Sequence, residues 1–335
     1  MGEIVGEEGQ ISLSIVIPMY NEEDNVANTV RQVSKALGSL QDRWEIVLVN
    51  DGSTDNTLQV AEDLAKGDER VRVVSYSRNA GRGKALRTGF ASARGDIVVS
   101  IDADLSYEPK YILDLIEVLN CDEDADIAIG SPYAEGGGTE NVPLDRLLMS
   151  KLGNKILSFA MSTNGRLNTI TGIFRAYRRP VLESLELESD GKEIHLEILS
   201  KAMALGYRAK EVPVILRGRQ RGRSKFRLRA TAISHIVFSI YEKPMMLFGL
   251  IGFTFIVWGL IGGMYIIVLW RQKALNPERP LMTLLVLLVL TGTQLLSFGF
   301  LGTQLAMFKK EVYKVQKENR EIMKRLDDAV KKRLD

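Results

Sequence analysis

From residue 244 to 270, and again from 281 to 308, the chain carries no charged side chain. Each stretch exceeds the roughly 20 apolar residues that an α-helix needs to cross a bilayer core, so two spanning helices are expected. The connector Arg271-Gln-Lys-Ala-Leu-Asn-Pro-Glu-Arg-Pro280 is short and polar. It makes the pair a helical hairpin and returns the tail to the side that holds the N-terminal region.

Charge suggests which side that is. Lys309, Lys310, Lys314, Lys317 and Arg320 follow the second stretch, and residues 217–229 before the first are rich in arginine, whereas the connector holds three basic residues. The positive-inside bias then places domain and tail in the cytoplasm. The single cysteine, Cys121, cannot form an internal disulfide, and residues 1–10 are acidic and Gly-rich, unlike a secretory signal. A reducing compartment is expected for the N-terminal domain.

Although 45% of the 335 residues are hydrophobic, the first 215 or so alternate short β-branched runs with helical stretches, the pattern of an α/β domain with a mainly parallel sheet. The expected strands are 13–18, 44–50, 71–75, 97–101 and 127–130. The expected helices are 24–40, 57–67 and 84–92, the second opened by Asp55 or Asn56 as N-cap. In such sheets ligands bind at the carboxyl ends of strands. The polar loops fall there: Pro18-Met-Tyr-Asn-Glu-Glu23, Asn50-Asp-Gly-Ser-Thr-Asp55, Asn79-Ala-Gly-Arg-Gly-Lys84 and Asp102-Ala-Asp104.

Asp102 and Asp104 form a hard, oxygen-only pair suited to a divalent cation that carries a phosphorylated substrate. The plainer alternative is a capped loop before a helix at 109–119. Asn50-Asp-Gly-Ser taken alone reads better as a helix-capping turn. Four such loops at consecutive strand ends read instead as a nucleotide site. Tyr20 could stack on a base, Glu22 or Asp51 could accept its N–H groups, and Lys84 could neutralise phosphate charge.

The chain resembles a family 2 glycosyltransferase of the GT-A fold, and within that family the polyprenyl-phosphate (dolichyl-phosphate) hexose synthases. The motifs are Ile17-Pro-Met-Tyr-Asn-Glu-Glu23, Val49-Asn-Asp-Gly-Ser-Thr-Asp-Asn-Thr57, Ala80-Gly-Arg-Gly-Lys-Ala-Leu86, Asp102-Ala-Asp-Leu105, Thr171-Gly-Ile-Phe-Arg-Ala-Tyr-Arg178 and Arg219-Gln-Arg-Gly-Arg-Ser-Lys225. The last of these, with the hairpin and Leu295-Leu-Ser-Phe-Gly-Phe-Leu-Gly302, is the most specific to the lipid-phosphate branch.

The resemblance implies inverting transfer of a hexose from a nucleotide sugar to an isoprenoid phosphate, assisted by Mg2+ or Mn2+. It puts Pro18, Tyr20, Glu22, Asp51, Lys84 and Asp102 on the nucleotide, Asp102 and Asp104 on the metal, and Arg146, Arg219, Ser224 and Lys225 on the acceptor phosphate. Asp104, Arg146, Arg219 and Lys225 are the expected catalytic set, with Arg217, Arg221 and Arg223 as a supporting field. For the outer arginines, contact with anionic lipid serves equally well. Expected partners are the nucleotide sugar, the dolichyl or polyprenyl phosphate, the bilayer and further copies of the chain. No nucleic acid is expected.

Two positions depart from the mannosyl relatives: Pro132, where they tend to carry arginine, and Ser106, where they carry glutamine. The Asn50-Asp-Gly-Ser-Thr spelling and the two-helix hairpin favour UDP-glucose as donor, with GDP-mannose next. Gln-x-x-Arg-Trp, the mark of processive synthases, does not occur, and two spans argue against a polymer channel. A scaffold or translocation partner that binds nucleotide sugar without turnover is the alternative from another class.

Residues 147–161 and 231–241 read as amphipathic, either against the membrane or against the sheet. Glu193 and His195 could touch the sugar, but a solvated first turn of a helix running to Leu205 is as economical, and His195 is not expected to be catalytic. Val312, Val315, Asn319, Ile322, Leu326 and Ala329 follow the a/d seam of a coiled coil, with Asn319 at an a position that fixes register. The expected layout is a flexible 1–11, a catalytic domain 12–226, a juxtamembrane helix 227–243, spans 244–270 and 281–308 joined by 271–280, and a helical tail 309–335.

Overall fold

The computed structural model describes residues 11–38, 40, 43–160, 167–218, 244–272 and 280–334. They form an α/β unit that runs to Gly218 and a helical unit within 244–312. The expectations for 219–225, for the juxtamembrane segment 227–243 and for most of the connector lie outside the described residues.

The five expected strands are present as β1 (Leu13–Met19), β2 (Trp44–Asp51), β3 (Val71–Tyr76), β4 (Ile97–Ser100) and β5 (Ile127–Ser131). Four more were not expected: β6 (Gly138–Glu140), β7 (Arg175–Arg178), β8 (Ala209–Pro213) and β9 (Ile215–Arg217). Seven strands make one sheet in the order β3-β2-β1-β4-β7-β5-β8, and β6 pairs with β9 in a small parallel ribbon. Only β7 runs against its neighbours, between β4 and β5. The sheet is therefore mainly parallel with one reversed strand, the GT-A arrangement.

Every residue of β2 is buried, as befits a strand covered on both faces by helices. Its register with β1 runs from Leu13 opposite Trp44 to Met19 opposite Asn50, and with β3 it ends at Asp51 opposite Tyr76. β4 pairs with β1 up to Ser100 opposite Val16. These registers bring the carboxyl ends of β3, β2, β1 and β4 side by side, so the four polar loops are neighbours.

The crossovers are α1 (Val26–Leu37), α2 (Thr57–Gly67), α3 (Arg82–Ser92) and α4 (Tyr111–Cys121). α2 has the expected bounds. Its opening donor is satisfied by Asp55, whose Oδ1 accepts the Thr57 N–H at 3.0 Å, while Asn56 makes no side-chain cap. Further on lie α5 (Leu144–Ala160), α6 (Arg179–Ser184) and α7 (Ile194–Ala204).

The helical unit holds α8 (Pro244–Arg271) and residues 280–312 of α9 (Pro280–Leu334), with two segments long and apolar enough to cross a membrane, Leu247–Arg271 and Pro280–Lys309, each with mean hydropathy 2.1. The helices approach through glycine. A Cβ placed on Gly252 would lie 2.6 Å from the Gly292 carbonyl oxygen, and one on Gly292 would lie 2.7 Å from that of Gly252. Small residues permit this approach where lipid gives no hydrophobic incentive to associate. The tail is not a separate element, because α9 continues unbroken from the apolar segment to Leu334.

Candidate active site

The four loops at the strand ends are bound to one another by polar side chains. Asn21, held at φ 53°, accepts the Thr54 N–H on Oδ1 at 2.8 Å and donates its own N–H to Ser53 Oγ at 3.0 Å. Glu22 N–H donates to Thr57 Oγ1 at 2.8 Å, and Glu23 Oε2 accepts the Asn56 N–H at 2.9 Å. The loops after β1 and β2 thus form one surface. Tyr20, Pro18 and Glu22 lie on it, all partly exposed. Asn25 Nδ2 donates to Glu22 Oε2 at 2.7 Å, so the carboxylate is oriented from the start of α1.

Asp51 is different. It is 4% exposed, and its carboxylate accepts the Asn79 side-chain N–H at 2.9 Å, the Ala80 N–H at 2.8 Å and the Gly81 N–H at 3.1 Å. Burial and the adjacent Asp51 carboxylate push the Tyr76 phenol well above its ordinary pKa. The acidic residue of the second loop is engaged in holding the third.

The third loop also departs from expectation. A Gly-rich turn before a helix would normally offer its N–H groups to phosphate. Here Ala80 and Gly81 give theirs to Asp51, and Gly83 and Lys84 give theirs to the Asp190 carbonyl at 2.7 and 3.3 Å. The segment bearing Asp190 is fastened by the Arg87–Asp190 ion pair and by Arg87 donating to the Leu187 carbonyl at 2.9 Å. Gly81 has φ 98°, and a Cβ there would land on that same Asp190 carbonyl. The Lys84 side chain is exposed; among the described residues Arg82 reaches the acidic pair, its guanidinium 3.1 Å from Asp102 Oδ1.

Asp102 and Asp104 are both partly exposed just beyond β4. Ile101 N–H still donates to the Val16 carbonyl at 3.1 Å, and the turn is completed by Leu105 at φ 53°. Ser106 donates both its N–H, at 3.0 Å, and its hydroxyl, at 2.6 Å, to Asp104 Oδ1. The buried Tyr107 stacks on Phe174 with centroids 5.1 Å apart; burial raises its phenol pKa, with a further contribution from Asp102. Among the described residues no group of three or more His, Cys, Asp or Glu gathers that could hold a metal. The described residues offer a cation the Asp102/Asp104 pair, a donor set that fits Mg2+ or Mn2+ completed by substrate oxygens and water.

Beyond the acidic pair, the Arg217 N–H donates to the Ser106 carbonyl at 2.9 Å, and its guanidinium pairs with Glu108 and with Glu140, the latter at 2.8 Å. Arg217 was expected to add to a positive field for the acceptor, but two carboxylates neutralise it. Arg219, Ser224 and Lys225, with Arg221 and Arg223, lie outside the described residues. Arg146 is on α5, and its side chain is outside them too.

Several contributors carry no local sequence signal. Thr29, fully buried on α1, donates to the Ala103 carbonyl at 2.6 Å. Asn154 of α5 accepts the Ile170 and Thr171 N–H groups at 2.8 and 3.2 Å, which fixes the start of the Thr171-Gly-Ile-Phe segment. Arg175, fully buried, donates to the His195 and Ile170 carbonyls. His195 is 1% exposed, and among the described residues neither ring nitrogen has a hydrogen-bond partner. Burial, then the Arg175 and Arg82 charges, hold its pKa well below the usual imidazole value, so the ring is neutral near pH 7. The solvated first turn expected there holds for Glu193, which accepts the Gly191 N–H at 3.2 Å, and not for His195.

Comparison with known proteins places these features in context. Residues 14–186 match the model of the family described as glycosyl transferase family 2. The chain is 34% identical over 235 residues to the polyprenol monophosphomannose synthase of Mycolicibacterium smegmatis, covering 68% of this chain and 85% of that one. It is 36% identical over 217 residues to the dolichol-phosphate mannosyltransferase of Pyrococcus furiosus, covering 65% of this chain and 60% of that one. The undecaprenyl-phosphate 4-deoxy-4-formamido-L-arabinose transferase of Salmonella choleraesuis is 29% identical over 309 residues, 90% of each chain. The fold is also that of glucosyl-3-phosphoglycerate synthase from Mycobacterium tuberculosis, solved with Mn2+, uridine diphosphate and glucosyl-3-phosphoglycerate: TM-score 0.54, 24% identity, 70% of this chain and 80% of that one.

Proposed function

The chain belongs to glycosyl transferase family 2, and from that premise we propose that it moves a sugar from a nucleotide sugar to a polyprenyl phosphate held in a membrane. The observation that carries this reading is the placing of Asp102 and Asp104 beside the joined β1 and β2 loops, in a chain that also has two helices able to span a bilayer. The relatives named for polyprenol, dolichol and undecaprenyl phosphate support the acceptor class.

On this reading Tyr20 stacks on the base with Pro18 and Glu22 beside it, and Asp102 and Asp104 hold a divalent cation on the donor diphosphate. That cation offsets the charge that builds on the leaving group. Arg82 stands next to the same diphosphate. Asp51 and Lys84 are removed from direct nucleotide contact and serve the third loop and the surface of α3. A phosphate monoester is already largely ionised near neutral pH, so the acceptor needs positioning and charge neutralisation more than a general base. Arg146, Arg219, Ser224 and Lys225 are assigned to that task.

Helix α5 supports contact with the bilayer surface. Leu144, Leu148 and Leu152 lie along one face at 82%, 70% and 53% exposure, with Lys151 nearby to meet lipid headgroups. The excess of basic residues flanking the apolar segments supports a cytoplasmic domain and tail. The exposed Val312, Val315, Asn319, Ile322 and Leu326 on α9 support self-association through the tail, which a monomeric mass in detergent would overturn.

For the donor, the second-loop spelling supports UDP-glucose, while the relatives' names support mannose or formamido-arabinose. One assay addresses both class and donor. Purified protein is incubated with Mn2+, polyprenyl phosphate and labelled UDP-glucose, GDP-mannose or UDP-N-acetylglucosamine in turn. Label extractable into organic solvent from one of them is expected and names the sugar. Label from none, with nucleotide sugar still bound, would replace the transferase by a binding scaffold.

A further inference from the structure

The peptide between the two acidic side chains is held from outside its own loop at its carbonyl. The strand ladder ends at Ile101, whose N–H still reaches Val16, and Leu105 then turns the chain with φ 53°. Between them the Ala103 carbonyl accepts the Thr29 hydroxyl at 2.6 Å, across 74 positions of sequence. Thr29 is fully buried and Ala103 is 3% exposed, so water cannot replace this bond. The same hydroxyl lies 3.0 Å from the Asn25 carbonyl, and the Asn25 side chain in turn orients Glu22. One turn of α1 therefore connects the loop after β1 to the acidic loop.

We propose that Thr29 is a positioning residue: its hydroxyl fixes the Asp102-Ala-Asp104 backbone so that both carboxylates face one cation in a set relation to the nucleoside loop. The inference rests on the reading that this pair holds the donor's metal. Strand pairing stops at Ile101, and full burial together with the contacts of its hydroxyl to the Asn25 and Ala103 carbonyls holds Thr29 as an anchor. Outer partners that orient metal ligands are typically worth about 10–100-fold in metal affinity.

The test compares Thr29→Val, which keeps shape and loses the donor, with Thr29→Ser, which keeps the donor. Two measurements are made on full-length protein: amide hydrogen exchange across residues 101–106 without metal, and Mn2+ binding followed by the loss of the free-ion paramagnetic resonance signal. T29V is expected to speed exchange in that segment alone and to weaken Mn2+ binding about tenfold, with T29S close to wild type in both. Exchange and Mn2+ binding unchanged in T29V, or equal losses in T29S, would overturn the inference. If wild type binds no Mn2+, the metal reading fails, and the exchange comparison still decides the role of Thr29. Should T29V not fold, Thr29→Cys, a weaker donor of similar size, takes its place.

Discussion

Replacing Asp51 by Asn separates a residue that holds a loop from one that binds a nucleoside. The carboxylate is 4% exposed and both its oxygens accept: Oδ1 from Ala80 N–H at 2.8 Å, Oδ2 from Asn79 Nδ2 at 2.9 Å and from Gly81 N–H at 3.1 Å. An asparagine amide turns one of those acceptors into a donor that faces another donor. The substitution removes a charge-assisted bond worth about 1.5–3 kcal/mol and strands a buried N–H at about 1–3 kcal/mol. A loss of roughly 3–5 kcal/mol follows. In a unit of this size each kcal/mol lowers the melting temperature by about 2–4 °C, so D51N should melt roughly 10 °C below wild type. Thermal melting followed by circular dichroism in detergent, without nucleotide, reads this directly. A melting temperature within about 1 °C of wild type would refute the clamp and return Asp51 to the nucleoside.

Two other substitutions test the packing and the electrostatics. Gly252→Val drives a side chain onto the Gly292 carbonyl and should cost about 1–3 kcal/mol, whereas Gly263→Val, where a Cβ meets nothing within 4 Å, should melt as wild type; equal melting of the two would contradict glycine-mediated approach. Glu197 is largely buried beside Lys201: burial raises its carboxyl pKa, but Lys201 and the Ser189 and Glu188 N–H groups outweigh this and hold it below 4.5. A depressed folded value gives stability that is full above 4.5 and lost as pH falls through the lower value. Glu197→Gln should thus be less stable at pH 7 and lose less stability on acidification, and parallel stability–pH curves for the two proteins would count against it.

Strands β1 to β5 were legible because they are runs rich in β-branched residues, and the loops that follow the first four are polar; β8, parallel to β5, was missed because Ala209-Lys-Glu-Val-Pro213 is no such run. β7 was missed as well. Arg175-Ala-Tyr-Arg178 contains two arginines and no β-branched residue, and it enters the sheet because Arg175 is satisfied inside by the His195 and Ile170 carbonyls. The acidic pair announced itself locally at Asp102 and Asp104. What surrounds it is set by partners distant in sequence: Thr29 for Ala103, Arg82 for Asp102 and Asp190 for the start of α3. The third loop shows how pattern alone misleads, since a Gly-rich turn before a helix normally offers its N–H groups to phosphate. Four of those groups are taken by Asp51 and Asp190. Ser106 shows the converse: read from sequence as a departure from the family pattern, it nonetheless serves the pair, through its hydroxyl on Asp104.

The central claim is that Asp102 and Asp104 hold the donor's cation for transfer to a lipid phosphate, and Asp104→Asn tests it most directly. The rate at which label passes from nucleotide sugar to polyprenyl phosphate is compared between D104N and wild type, with matching circular dichroism melts to establish folding. Transfer is expected to fall at least about 100-fold in D104N, and by a similar factor in wild type with excess chelator, because removing a positioned charge from the leaving group costs on that order. Full transfer in the folded mutant, or in chelator, would contradict it.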